Sequence, residues 1–203
     1  LIMNKKNILL ICGGGGSEHA ISLISAQYIK SQLDQLNDYQ IYFVEIEPDG
    51  TRKDENGNKL ELRKGGFLYQ YQTQKEVKLD FAIPCFHGPP GETGQIQAVF
   101  ELMELPYLGC EPEASALCFN KVSTKLWFDA LNIPNTPYLF INDEKQQNIE
   151  KAKSFFEKSK NVFVKASSQG SSIGCYFVAD ESNLIKSIEK AFKLSPYVLI
   201  EEY

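Results

Sequence analysis

Short apolar runs alternate with amphipathic stretches along this chain, and the alternation predicts its elements. Residues 7–12 (Asn-Ile-Leu-Leu-Ile-Cys) are apolar and are closed by Gly13, Gly14, Gly15 and Gly16, which predicts a buried strand ending in a tight loop. From Glu18 to about Leu36, apolar residues recur at helical spacing: Ile21, Ile24, Tyr28, Ile29, Leu33 and Leu36. Residues 40–46, rich in β-branched and aromatic side chains, predict a second strand. Residues 49–63 contain Asp54-Glu-Asn-Gly57 and predict a hairpin with an Asn-Gly turn. Residues 67–78 are polar and carry no readable period. Residues 79–86 predict a third strand, in which Pro84 must face a free edge or the strand's end. A loop (87–93), a helix (94–105) and a short strand around Tyr107 complete the first half.

The second half begins near Glu111. A helix is expected over 120–131, carrying Trp127 and Phe128 and stopped by Ile133-Pro134. Strands are expected at 138–141, 161–165, 173–178 and 197–201, and helices at 147–158 and 181–192. Strands alternating with helices imply a mostly parallel α/β sheet, with ligand loops at the carboxyl ends of strands, here after Cys12 and Phe86. The chain stops at Tyr203 directly after an apolar strand, so that strand is expected to lack its partners and the chain to be a truncated piece. Neither repeats nor low-complexity tracts are present.

Composition narrows the class. Of 203 residues, 43% are hydrophobic and 23% charged, an ordinary globular balance of one large or two small domains. The net charge of −5 is spread without a basic block, so no nucleic-acid partner is expected. No apolar run approaches the ~18–20 residues of a membrane span, and the run after Lys5-Lys6 is too short for a signal-peptide core. Met3 is read as the natural start, with Leu1 and Ile2 as cloning remnants. The five cysteines are widely spaced and contain no CxxC pair. Cys12, Cys85 and Cys175 lie in or beside apolar runs and are expected to be buried reduced thiols, which favours a cytoplasmic location.

Three loops carry candidate chemistry. Gly13–Ala20 places glycines between a strand and a helix, where backbone N–H groups can approach an anion. The plainer reading, a turn with Glu18 complementing the helix dipole, is the stronger on these residues alone. The loop His87-Gly-Pro-Pro-Gly-Glu92 puts one of only two histidines at a strand's end, where a structural and a functional role stand level. The stretch Lys165-Ala-Ser-Ser-Gln-Gly-Ser-Ser-Ile-Gly174 ends a strand in a lysine followed by serines and glycines. A phosphate-covering hairpin is favoured over a plain polar loop, because the lysine charge would otherwise end a buried strand unexplained. It is not a Walker A loop, since no Gly-Lys-Ser/Thr precedes a helix.

The order and spacing of four motifs are more specific than any one of them. They are Gly13-Gly14…Ser17-Glu18-His19…Ser22-Leu23; His87-Gly88-x-x-Gly91-Glu92-x-Gly94-x-Ile96-Gln97; Asn120-Lys121…Thr124-Lys125; and Lys165-x-Ser167-x-x-Gly170-Ser171-Ser172-Ile173-Gly174. Together they resemble the D-alanine–D-alanine ligase family over the whole chain. The resemblance implies an α/β fold, with an N-terminal mostly parallel sheet of pre-ATP-grasp type followed by the start of an ATP-grasp α+β region. It implies a substrate-binding domain over 1–112 and a central ATP-grasp subdomain over 113–203, the C-terminal ATP-grasp portion being absent. The implied reaction joins two D-alanines for peptidoglycan precursor synthesis. ATP phosphorylates the first D-alanine's carboxylate, and the second D-alanine's amine attacks the acyl phosphate. By the same resemblance Glu18 holds the first ammonium, Ser171 links to it through a hydrogen-bond network, and His87 lies near the acyl phosphate. Lys121 and Lys165 grip ATP phosphates, Ser172 lies in the closing hairpin, and Glu201, Glu202 and Tyr203 line the nucleotide. Mg²⁺ (or Mn²⁺) is implied, with ligands expected beyond Tyr203 and none here. A homodimer through the N-terminal domain is implied as well.

The sequence departs from the family's pattern at Ala20, where a second acid is common, and at Asn120, often Asp. An isolated 203-residue piece is expected to be inactive. A D-Ala–D-lactate or other ATP-grasp carboxylate–amine ligase, and a catalytically inactive nucleotide-binding fragment, are the alternatives. A dinucleotide oxidoreductase would need a glycine fingerprint that fails here, although Glu45 and Glu47 lie near the required acid.

Overall fold

The computed structural model describes residues 5–203, and the expected start at Met3 lies outside them. Two compact units are present, the first ending at Ala116 and the second running from Leu117 to Tyr203.

The first unit runs β1 (Lys6–Gly13), α1 (His19–Leu33), β2 (Tyr39–Ile46), β3 (Arg52–Lys53), β4 (Leu60–Arg63), β5 (Phe67–Gln70), β6 (Lys75–Lys78), β7 (Phe81–Cys85), α2 (Gln95–Leu102) and α3 (Pro112–Phe119), which crosses into the second. Its main sheet has the order β3-β2-β1-β7, with β2 and β7 both parallel to β1 and β3 antiparallel at the edge. Strand β1 is buried on both faces. Leu9 and Ile11 pack with Ile96, Phe100 and Leu105 on one side, and Leu10 and Cys12 with Ala26 and Phe43 on the other. A centre strand covered on both faces requires a continuous apolar run, which is why β1 shows no polar alternation.

Helix α1 forms where the periodicity places it, but its buried face differs from its apolar stripe. Ser22 and Ala26 are fully buried, while Ile21, Ile24 and Tyr28 are 51%, 67% and 68% exposed. Small side chains let this helix approach the strand ends closely; Leu23 and Ile29 pack against the core beside them, while Ile21, Ile24 and Tyr28 are turned outward.

In β7 the N–H of Ala82 points away from β1 to Pro106 O at 2.8 Å. Pro84, two residues on, therefore also faces outward, where only an isolated bridge from Ala82 to Tyr107 extends the sheet. That bridge replaces the strand expected around Tyr107. The expected Asn-Gly hairpin is a longer turn: the Asp54 carboxylate accepts N–H bonds from Asn56 and Asn58 at 2.9 and 2.8 Å, and a bridge joins Lys53 and Lys59. The stretch without readable period forms β5 and β6, an antiparallel meander with β4. It adds Leu60 and Leu68 to the core.

The second unit continues with α4 (Lys121–Ala130), β8 (Tyr138–Ile141), α5 (Gln146–Ser159), β9 (Val162–Ala166), β10 (Cys175–Val178), a 3₁₀ turn (Glu181–Asn183), α6 (Leu184–Phe192) and β11 (Val198–Glu202). Its sheet has the order β10-β9-β11-β8, with every pairing antiparallel. The unit is thus α+β, whereas the first unit carries the parallel sheet. Strand β11, expected to lack partners, is flanked by β9 and β8. Val162, Val164, Ala166, Val198 and Ile200 pack against Ala152 and Phe156 of α5 and Leu184 and Ile188 of α6. By strand alternation the opposite face carries Phe163, Lys165, Leu199 and Glu201. Helix α3 was not expected: none of its residues is buried, so no apolar stripe marks it. Cys175 is half-buried rather than buried, while Cys12 and Cys85 are buried as expected.

Candidate active site

In the first unit two loops meet at the carboxyl ends of β1 and β7. Gly14 has φ +92°, and a Cβ there would lie 2.7 Å from Pro90 Cδ and 3.0 Å from Pro89 O, so only glycine allows this approach. Ser22 ties the strand ends from below. Its hydroxyl accepts the Gly13 N–H at 2.8 Å and donates to Cys85 O at 2.5 Å. His19 Nδ1 lies 2.7 Å from Gly14 O, and its Nε2 lies 3.1 Å from Glu45 Oε1. Glu45 and Glu47 both face Lys53, so they are occupied structurally.

Glu18 stands at the N-cap of α1, where its side chain makes no capping bond. Its carboxylate faces the neighbouring loop, because a Cβ on Gly88 would lie 3.7 Å from Glu18 Oε2. His87, next to Gly88, is half-buried, and its Nε2 lies 3.0 Å from Ser25 Oγ. The structure thus brings Glu18 and His87 to the same end of one sheet. Gln97 fixes the loop between, donating from Nε2 to Gly91 O at 2.7 Å.

The second unit gathers charge on its sheet face. Asn120 caps α4, its Oδ1 accepting N–H bonds from Val122 and Ser123 at 3.0 and 3.1 Å. Asparagine performs there the capping that aspartate would. Lys121 follows, half-buried, its Nζ donating to Gln169 O at 2.5 Å. Burial, and then the nearby Lys165, lower the Lys121 pKa. Lys165 contacts Glu201 Oε2, and Lys125 Nζ lies 2.8 Å from Glu201 Oε1. Glu201 and Lys125 are 8% and 9% exposed. Burial pushes the Glu201 pKa up, but hydrogen bonds from Lys125 and Lys165 outweigh it and hold the group below its usual range.

The expectation that the Lys165 charge lacks an explanation is therefore corrected: Glu201 is its counter-ion. The register explains why. Lys165 pairs with Leu199 and Phe163 with Glu201, so Lys165 and Glu201 are diagonal neighbours on one face. Lys125, which closes the Asn120–Lys125 motif and had no role expected of it, belongs to the same cluster. Its signal was the spacing of four from Lys121, which places both lysines on one side of a helix.

The loop between β9 and β10 is pinned at its base. Ser167 Oγ and Ser195 Oγ are 2.6 Å apart and buried, and Gln169 Nε2 donates to Leu194 O at 3.1 Å. Gly174 has φ +69°, and a Cβ there would meet Ala166 Cβ at 2.8 Å and Leu194 Cδ1 at 2.9 Å. Ser171 and Ser172 are exposed at the tip, with φ +49° and +61°. Glu202 is exposed, and Tyr203 sets its ring 5.0 Å from Phe177 and 5.7 Å from Phe163. Among the described residues no group of three or more His, Cys, Asp or Glu side chains is placed to hold a metal, and no helix is long and apolar enough to cross a membrane.

A parallel α/β unit with glycine loops at its strand ends is followed by an antiparallel unit with lysines on its sheet face, and the family matches that follow put this pair of units in the ATP-grasp class. Residues 7–110 match the D-ala D-ala ligase N-terminus family, and residues 127–203 the D-ala D-ala ligase C-terminus family. The chain belongs to the D-alanine–D-alanine ligase family. It is 48% identical to a D-alanine–D-alanine ligase of Shewanella halifaxensis (strain HAW-EB4), over 98% of this chain and 60% of that one. The solved D-alanyl-alanine synthetase A of Vibrio cholerae superposes with a TM-score of 0.94 at 47% identity, over 99% of this chain and 61% of that one. A D-Ala:D-Ser ligase from Enterococcus faecalis shares the fold at 24% identity, with a TM-score of 0.82, over 98% of this chain and 63% of that one. The chain thus spans about 60% of the length of the curated relatives it matches.

Proposed function

We propose that this chain is the substrate- and nucleotide-binding portion of an enzyme that joins two D-alanines with ATP, through an acyl-phosphate intermediate, for peptidoglycan precursor synthesis. The observation that carries the reading is the lysine cluster. Lys125 and Lys165 both pair with one carboxylate, Glu201, while Lys121 donates to the Gln169 carbonyl, so three lysines face a single acid and two positive charges are in excess in a half-buried cluster. Such a face suits a polyanion such as the ATP triphosphate.

The first-unit loops, within residues 1–112, are assigned to the substrate. Glu18 pairs with the ammonium of the first D-alanine. His87 donates toward the carboxylate as it is phosphorylated, with Ser25 orienting its ring. The second unit, residues 113–203, is assigned to the nucleotide. Lys121 and Lys165 neutralise phosphate oxygens as charge develops, Ser171 helps place substrate, and Ser172 lies in the loop that covers the phosphates. Glu201, Glu202 and Tyr203 line the nucleoside. The aromatic group of Phe163, Phe177 and Tyr203 supports that assignment, since it offers ring faces beside the lysines. ATP supplies the leaving group that a carboxylate lacks. Magnesium is proposed with it, although the described residues offer that ion no ligand set.

A cytoplasmic homodimer is part of the same reading. The exposed stripe of Ile21, Ile24 and Tyr28 is apolar surface that a second copy would cover. The test is phosphate release from ATP and magnesium by the natural full-length protein, with D-alanine, L-alanine, D-lactate or D-serine added. Release is expected to require D-alanine and to fall sharply in Glu18→Gln and Ser171→Ala. Release dependent on D-alanine together with D-lactate or D-serine would move the acceptor. No release with any of them would overturn the ligase reading.

A further inference from the structure

The lysine cluster contains more than a phosphate grip needs. If Lys165 turns its ammonium to a phosphate, it leaves Glu201, a carboxylate only 8% exposed. An ionised carboxylate abandoned in that setting would oppose the move. The structure holds a second cation in place: Lys125 Nζ lies 2.8 Å from the other oxygen, Oε1. Lys125 is also anchored independently, donating to Thr136 O at 3.0 Å, with its ammonium 5.3 Å from the Tyr138 ring centre. The side chains of Lys125 and Glu201 are each 11% exposed, whereas that of Lys165 is 24% exposed. The deep pair is fixed and the shallower lysine is the one with room to move.

We propose that Lys125 is a positioning residue for nucleotide binding: it remains the counter-ion of Glu201, so that Lys165 can exchange the carboxylate for a phosphate. Glu201 acts as a placeholder that holds Lys165 extended and charged before nucleotide arrives. Lys121, held by Gln169 O, gives the incoming polyphosphate a second cation. At no stage does a buried carboxylate stand without an ammonium. The inference rests on the nucleotide reading and adds to it a role for a side chain that need not touch the ligand.

The experiment is calorimetric titration of the natural full-length protein at fixed ionic strength, with two probes: a magnesium complex of a non-hydrolysable ATP analogue, and adenosine. The quantity read is the ratio of the two affinities, which isolates the phosphate contribution. Lys125→Met is expected to lower that ratio about tenfold, the scale of one charge-assisted hydrogen bond, because Lys165 becomes the only counter-ion of Glu201. Lys125→Arg is expected to stay near wild type. In Lys125→Met/Glu201→Gln the ratio is expected to recover, since no carboxylate then retains Lys165. Should Lys125→Met fail to fold, Glu201→Gln alone is expected to raise the ratio above wild type. A Lys125→Met that weakens both probes equally, a double variant no better than the single, or an unchanged ratio in Glu201→Gln would each overturn the proposal. Failure of the wild type to bind the triphosphate would instead overturn the nucleotide reading beneath it.

Discussion

Ser22→Ala removes one oxygen atom, and its cost follows from two hydrogen bonds. The Ser22 hydroxyl is fully buried, accepts the Gly13 N–H at 2.8 Å and donates to Cys85 O at 2.5 Å. Alanine fits the space, so the change is one of polarity with little change of packing. It strands a backbone donor at the end of β1 and weakens an acceptor at the end of β7, in a region water does not reach. An unsatisfied buried group costs about 1–3 kcal/mol, so two bonds, partly relieved by relaxation, amount to about 2–4 kcal/mol. Because both bonds join the strand ends beneath Glu18 and His87, the damage should concentrate there. Two assays read it: the urea midpoint of the first unit's transition, and amide exchange at Gly13. A lower midpoint is expected, together with Gly13 exchange faster by the corresponding factor of roughly 30 to 10³. A stability change below about 0.5 kcal/mol with unchanged Gly13 protection would refute the reasoning, since that is the range of a neutral surface substitution.

Gly174→Ala combines a left-handed φ of +69° with a Cβ 2.8 Å from Ala166 Cβ, and is expected to cost about 2–4 kcal/mol by thermal denaturation. Glu201 titrates below its usual range in the folded chain, so its contribution to stability is present above the unfolded carboxyl pKa and is lost as pH falls through the folded one. The urea-midpoint difference between wild type and Glu201→Gln should accordingly shrink as pH drops below about 4.3, and a pH-independent difference would contradict it. Burial, then Cys85 and Glu45 nearby, push the Cys12 thiol up to about 12, whereas Cys110 and Cys118 are exposed. Alkylation followed by mass spectrometry should modify Cys110 and Cys118 first and reach Cys12 only on unfolding.

Element positions were legible in the sequence wherever the apolar pattern was strong. β8 falls at 138–141 as expected, and β1, β2 and β9 differ by a residue or so at their ends. The pattern failed where burial is not what shapes the element. No residue of helix α3 is fully buried, and α1 buries Ser22 and Ala26 while exposing Ile21, Ile24 and Tyr28. Among the candidate residues, Lys165 was legible as a charge at the end of a strand, but its partner was not. Glu201 is 36 residues away, and only the antiparallel register of β9 and β11 sets the two diagonally. The role of Lys125 was hidden for the same reason, since it depends on a strand that follows it by some seventy residues in the chain.

The second unit divides its chemistry between rigid and adaptable backbone. Its lysines stand on a capped helix and on a strand paired on both sides, so the backbone that carries them is in place before any anion arrives. A rigid backbone beneath the charged side chains lowers the reorganisation that binding would otherwise require. Ser171 and Ser172 stand instead at an exposed loop tip with positive φ, conformations that cost a non-glycine residue about 1–2 kcal/mol each. The base of that loop is fixed by the buried Ser167–Ser195 contact and by Gly174, while its tip holds strain that a ligand's hydrogen bonds could offset. A phosphate group suits both halves of this arrangement: ammonium groups on a fixed backbone meet its charge, and hydroxyls on a yielding tip adjust to its oxygens.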